Sequence, residues 1–219
     1  MCWNPDISIN TFIFSVLTLL FIYLTNTYSK YKTKTFDNPL MYLLFFEVVL
    51  IQLIEFFLWK NLKNDKMNKL LSRLACIIIL LQPFTIILMI QRYDIKHIML
   101  ALYSLFVILL YINTSLYHKN SFRTTVGING HLSWEWMNYK GYQNIFLFIL
   151  LLFYIIPTLF TNNFVLFLFV IVSLVISFVQ YFKYNTFGSM WCWLSNIFLL
   201  YFIINILIIQ PYKEYNNLC

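Results

Sequence analysis

Seven apolar runs of about twenty residues each restrict this chain more than any other feature of its sequence. They cover residues 8–28, 39–59, 70–91, 97–117, 143–161, 164–183 and 189–210. A helix of about 20 apolar residues spans the roughly 30 Å of bilayer hydrocarbon. In that medium every backbone N–H and C=O must find its partner within the protein, which favours helices. The runs therefore predict an all-α polytopic membrane protein, a bundle of seven transmembrane helices forming one domain over residues 1–219. Charged residues make up 11% of the chain, against about 25% in soluble domains, so water is the wrong solvent for most of its surface.

The connectors carry the charge. "SKYKTKTFDNP", "KNLKNDKMNK" and "QRYDIK" part the first four runs, a long connector fills 118–142, and only "TNN" separates the fifth run from the sixth. The net charge of +7 is scattered over these short connectors, which suits anionic lipid headgroups and not nucleic acid. The expected partner is the lipid bilayer; oligomeric state is not readable. The first run is too long, and lacks the basic flank, for a cleavable signal peptide, so it reads as an uncleaved signal anchor. Cys2, Cys76, Cys192 and Cys219 show no metal-ligand spacing, and neither metal nor cofactor is expected. Cys2 and Cys192 fall on one side of the membrane, as a disulfide if that side is oxidising and as thiols if it is cytoplasmic. Pro83 and Pro157 predict kinks in the third and fifth helices.

With seven spans, the N-terminus shares a face, here the N-side, with the second, fourth and sixth connectors. Nine of the fifteen basic residues lie there, which leans towards a cytoplasmic N-terminus. All six tryptophans (Trp3, Trp59, Trp134, Trp136, Trp191, Trp193) and all four glycines (Gly127, Gly130, Gly141, Gly188) fall on that side too. A belt that only anchors the bundle would place aromatics at both interfaces, and it does not account for the glycines.

Polar side chains inside hydrocarbon are costly unless they face the bundle and find partners. Gln52, Glu55 and Trp59 share a face of the second helix. Ser173, Ser177 and Gln180 do so on the sixth, and Ser189, Cys192 and Asn196 on the seventh. Each stripe rises towards the N-side. One reading makes them hydrogen bonds between helices. The other makes them the lining of a cavity around Glu55, with Arg73 or a connector lysine as counter-ion. Glu47 lies deeper, without a polar face beside it. In the long connector, His131 and Glu135 project together if the segment is helical, and Trp134 and Trp136 are expected at headgroup depth. The ligand-binding candidates are Gln52, Glu55, Trp59, Glu135, Gln180, Trp191, Cys192 and Asn196; Glu55 and His131 are the candidate acid–base groups.

No lysine lies in the seventh run, so a rhodopsin-type Schiff base has no attachment point. The only histidines are His97, His118 and His131, which excludes the seven-pass hydrolases that hold a metal on an intramembrane histidine set. The motifs "MCWNP", "QLIEFFLW" and "GSMWCW" resemble an uncharacterised family of multipass membrane proteins met in large DNA viruses and algae. That resemblance implies seven spans in a host or virion membrane and no particular activity. Three functions fit the residues. The first is a non-enzymatic protein whose aromatic-capped N-side cavity binds a small molecule, lipid headgroup or ion. The second is a lipid-modifying enzyme using Glu55 or His131, and the third a structural protein docking a partner through its tryptophan face.

Overall fold

Asparagine starts most of the long helices. In the computed structural model, which describes residues 4–117, 122–137 and 144–216, α1 (Pro5–Tyr28) opens with Asn4 accepting from the Ile7 amide at 3.0 Å. Asn38 serves α2 (Pro39–Lys60), Asn64 serves α3 (Asp65–Leu88), and Asn163 serves α6 (Phe164–Tyr181). Each side chain satisfies one of the N–H groups that a helix leaves over at its first turn. The other helices are α4 (Tyr93–Tyr117), α5 (Asn144–Ile155) and α7 (Phe187–Ile204). A π-helical turn at Asn205–Ile209 joins α7 to the short α8 (Gln210–Tyr215).

Six helices are long and apolar enough to cross a membrane: Pro5–Tyr28, Pro39–Lys60, Asp65–Leu88, Tyr93–Ser115, Phe164–Tyr184 and Phe187–Tyr215. The protein is thus an all-α, multi-pass membrane bundle. The run at 143–161 departs from expectation. Its α-helix has 12 residues, about 18 Å at 1.5 Å per residue, and gives way to a 3₁₀ turn at Pro157–Phe160. Proline has no N–H and its ring crowds the carbonyl four residues back, so the helix stops where a kink was expected. At Pro83 the outcome is different, because α3 continues. The carbonyl of Ile79, deprived of its helical donor, accepts a 2.6 Å hydrogen bond from Tyr154 Oη on α5. Tyr103 Oη of α4 donates to the next carbonyl, Leu80. Lipid offers no such donors, so neighbouring helices supply them.

The most buried of these helices, α2, packs against α1, α3 and α7. By contrast α4 sits at the margin, leaning mainly on α3 and turning Leu102, Leu105 and Ile108 outward. Phe36, Phe45 and Phe202 meet near the end opposite the N-side, with ring centroids 5.0–6.0 Å apart.

The described part of the long connector is a β-hairpin, not a helix resting at the interface. Strand β1 (Thr124–Val126) pairs antiparallel with β2 (Leu132–Trp134), with Thr125 opposite Ser133. Gly130 takes the left-handed conformation in the turn, φ 78°, which glycine adopts without steric cost. Two strands alone are marginal, and this pair is held by α3. The Asn68 amide donates to the Thr124 carbonyl and accepts from the Thr124 N–H, both at 2.9 Å. One side chain thereby does what a third strand would. Trp134 is 2% exposed and stacks on the buried Trp136 at 5.2 Å. Both indoles are buried in the protein and do not rest on an exposed helix face.

Candidate functional site

The N-terminal turns of α7 receive the hairpin. A side chain on Gly188 would meet Met137 Sδ at 2.8 Å and the Trp134 ring at 3.0 Å, so only a bare backbone lets the indole lie against the helix. Ser177 Oγ donates to the Phe187 carbonyl at 2.5 Å, and Asn129 of the hairpin turn donates to Thr186 Oγ1 at 2.9 Å. These contacts set Ser189 opposite α2.

There Gln52, Glu55, Trp59, Ser8, Leu132, Ser189 and Trp193 surround a small cavity. It offers ≈ 10 Å³ to the centre of a water, room for about one molecule. Glu55 is 4% and Gln52 0% exposed. Ser189 and Gln52 lie beside the Glu55 carboxyl, yet Glu55 Oε1 and both polar atoms of Gln52 make no hydrogen bond with a described residue. Nor does any described cation pair with it. Arg73, the counter-ion expected from the sequence, is exposed and lies over the Phe122 ring at 5.7 Å. Lys119 and Lys140 lie outside the described residues.

The other expected residues divide. Trp191 is buried and donates to Ser173 Oγ at 2.9 Å, so this tryptophan ties α7 to α6. Cys192 is a buried free thiol; its suggested partner Cys2 lies outside the described residues, as does His118. Asn196 accepts from Ser15 Oγ at 2.8 Å and donates to the Cys192 carbonyl at 2.7 Å. Gln180 and Glu135 are exposed and do not line the cavity: Ser173 and Ser177 turn inward, while Gln180 at the helix end turns out. Because the connector is a strand, His131 and Glu135 do not form a helical pair. His131 packs edge-on against Tyr181 at 5.4 Å, and burial pushes its imidazole down to about 4. Its neighbour Leu132 is the hairpin residue that lines the Glu55 cavity. Among the described residues no three of His, Cys, Asp and Glu stand together as metal ligands.

Two features escaped the sequence reading. Ser8, Thr11, Ser15 and Thr18 follow i, i+3, i+7, i+10 spacing on α1, and Ser8, Ser15 and Thr18 are buried against the bundle. That stripe was legible in the spacing. Glu47, expected to lack polar neighbours, accepts from Thr85 Oγ1 of α3 at 2.8 Å, a contact across helices that spacing does not announce. On the opposite face, Lys34, Asp37, Gln91 and Asn162 border a wider cavity of ≈ 370 Å³. No family model, curated protein or solved structure matches this chain.

Proposed function

We propose that the protein is a non-enzymatic multi-pass membrane protein that binds a small monovalent cation, a proton or Na⁺, at Glu55. The observation that carries this reading is a buried carboxyl and a buried amide with unused acceptors around a water-sized cavity, with no described cation to pair with. Burying such groups without partners costs several kcal/mol. Glu55, Gln52, Ser8 and Ser189 bring carboxyl, amide and hydroxyl oxygens to that cavity. Its volume argues against a lipid headgroup or larger molecule. The burial of Trp134, Trp136 and Trp191 argues against docking through a tryptophan face.

In this reading α5 with its Pro157 turn makes a seventh traverse. Asn162 beyond the turn donates to Gln91 of the α3–α4 link, whereas Asn129 meets Thr186 at the other end. The N-side then faces the cytoplasm, the reading its excess of basic residues supports, and a host or virion membrane is the setting that the motifs' resemblance to viral and algal multipass proteins suggests.

The test uses dicyclohexylcarbodiimide, an apolar reagent for buried carboxyls, on the purified protein, with mass spectrometry to locate the adduct. Glu55 should be modified, Na⁺ or raised pH should protect it, and Glu55→Gln should abolish the adduct. Labelling of Glu55 that ignores both Na⁺ and pH, or its absence in folded protein, would overturn the reading.

A further inference from the structure

The geometry points to a proton route through the bundle, from Glu55 at the N-side to Glu47 and out through the cavity on the opposite face. This rests on the reading of Glu55 as a cation site and names the cation. The two carboxyls lie eight residues apart on α2, about 12 Å along the axis. Glu47 is 6% exposed; its Oε1 is held by Thr85, while Oε2 has no described partner. Each end of the route therefore keeps one buried carboxyl oxygen unused.

Groups with exchangeable protons fill the gap. Cys192, Ser195, Gln82 and Tyr154 line a second cavity of ≈ 30 Å³ at mid-depth, room for about two waters at most. Tyr154 Oη lies 3.0 Å from Gln82 Oε1, and Gln82 Nε2 makes no hydrogen bond with a described residue. Gln82 and Thr85 are one turn apart on α3, so the polar line continues from this cavity to Glu47. Among the described residues, the titratable groups facing Glu47 are Tyr103 of α4 and Tyr154 of α5, which also face Cys76 of α3. The one facing Glu55 among the described residues is Cys192 of α7.

Beyond Glu47, Met41 and Met89 are buried and form the floor of the wide cavity on the far face. At the other end, Leu132 of the hairpin closes the Glu55 cavity. The two inner cavities on this line hold about one water and at most about two. They are too small for a hydrated Na⁺ but suit a proton handed between side chains and single waters. With Glu55 ionised and Glu47 protonated at rest, Glu55 takes a proton from the N-side and Glu47 releases one to the far face. Passage of the Glu55 proton along the line to Glu47 restores both carboxyls, and the net event is one proton moved.

The test is proton flux into liposomes holding the full-length protein and a trapped pH dye, driven by a valinomycin-clamped potassium gradient. Flux should fall at least tenfold in both Glu47→Gln and Glu55→Gln, fall several-fold in Thr85→Val, and recover in part in Glu47→Asp. Circular dichroism and gel filtration in detergent confirm that each variant folds. Wild-type flux that Glu47→Gln leaves intact would overturn the route while the carbodiimide adduct at Glu55 upholds the site. Radioactive Na⁺ uptake in place of proton flux would overturn the choice of cation. No flux of either ion with Glu55 still modified would overturn transport alone.

Discussion

Asn68 and Gly188 each do a task that no similar residue can do. Asn68 offers a donor and an acceptor at the spacing of a peptide group. Asn68→Ala strands a buried N–H and C=O of Thr124, which costs about 2–4 kcal/mol at roughly 1–2 per lost partner. The expected result is a lower melting temperature in detergent and faster hydrogen exchange at Thr124. Gly188→Ala pushes against Met137 and Trp134; overpacking of this kind costs about 1–3 kcal/mol, and the same melt measures it. His131 predicts a pH effect. The folded chain takes up its proton only near pH 4, the unfolded chain near 6.5. Stability should therefore fall as pH drops from about 6.5 to about 4 and level off below, because the unfolded state binds more protons in that window. Denaturant titrations across that range should show the slope, and His131→Asn should flatten it.

Among the elements, α3 and α5 depend on each other. Proline in α3 exposes a carbonyl in a medium without donors, and Tyr154 of α5 answers it. Tyr154→Phe should cost about 1–3 kcal/mol. In a Pro83→Ala background the helix regains its own N–H at that carbonyl, so the penalty should shrink; a double-mutant cycle reads the coupling. The hairpin is the element that sequence reasoning missed. Its strands are three residues long, too short for alternation to stand out, and what holds it is Asn68, 56 positions away. Gly127, Gly130 and Gly188 marked the place without disclosing the reason. They are turn and contact positions of a strand pair folded into the bundle.

For the whole molecule, the decisive arrangement is α2 at the centre, bordering the small cavity near one face, the mid-depth cavity and the wide cavity at the other. The opposite face is also tied by Glu214 of α8, which meets Lys30 and Tyr31 of the α1–α2 link. Lys30 and Glu214 are exposed, and such ion pairs add little stability. The seven-traverse reading makes a prediction at this scale. With Cys2 and Cys219 replaced, thiols placed by Ile128→Cys and Lys183→Cys should react with an impermeant maleimide from one side of the vesicle. Those placed by Lys32→Cys and Phe164→Cys should react from the other. If Phe164→Cys labels with Ile128→Cys, α5 does not cross.

The membrane class and the long helices were legible in the sequence, because both follow from local chemistry: run length and the absence of charge. The convergence of Gln52, Glu55 and Trp59 with Ser189 was half legible, since periodicity shows which residues share a face but not which face it meets. Tertiary structure decided the rest. It turned Gln180 and Glu135 outward, gave Glu47 its Thr85, buried Trp134, Trp136 and Trp191 and placed Cys192 at mid-depth beside Tyr154. The physical reason is that lipid leaves polar groups no solvent. Each must find a partner on another helix, and only the packing of the bundle determines which one.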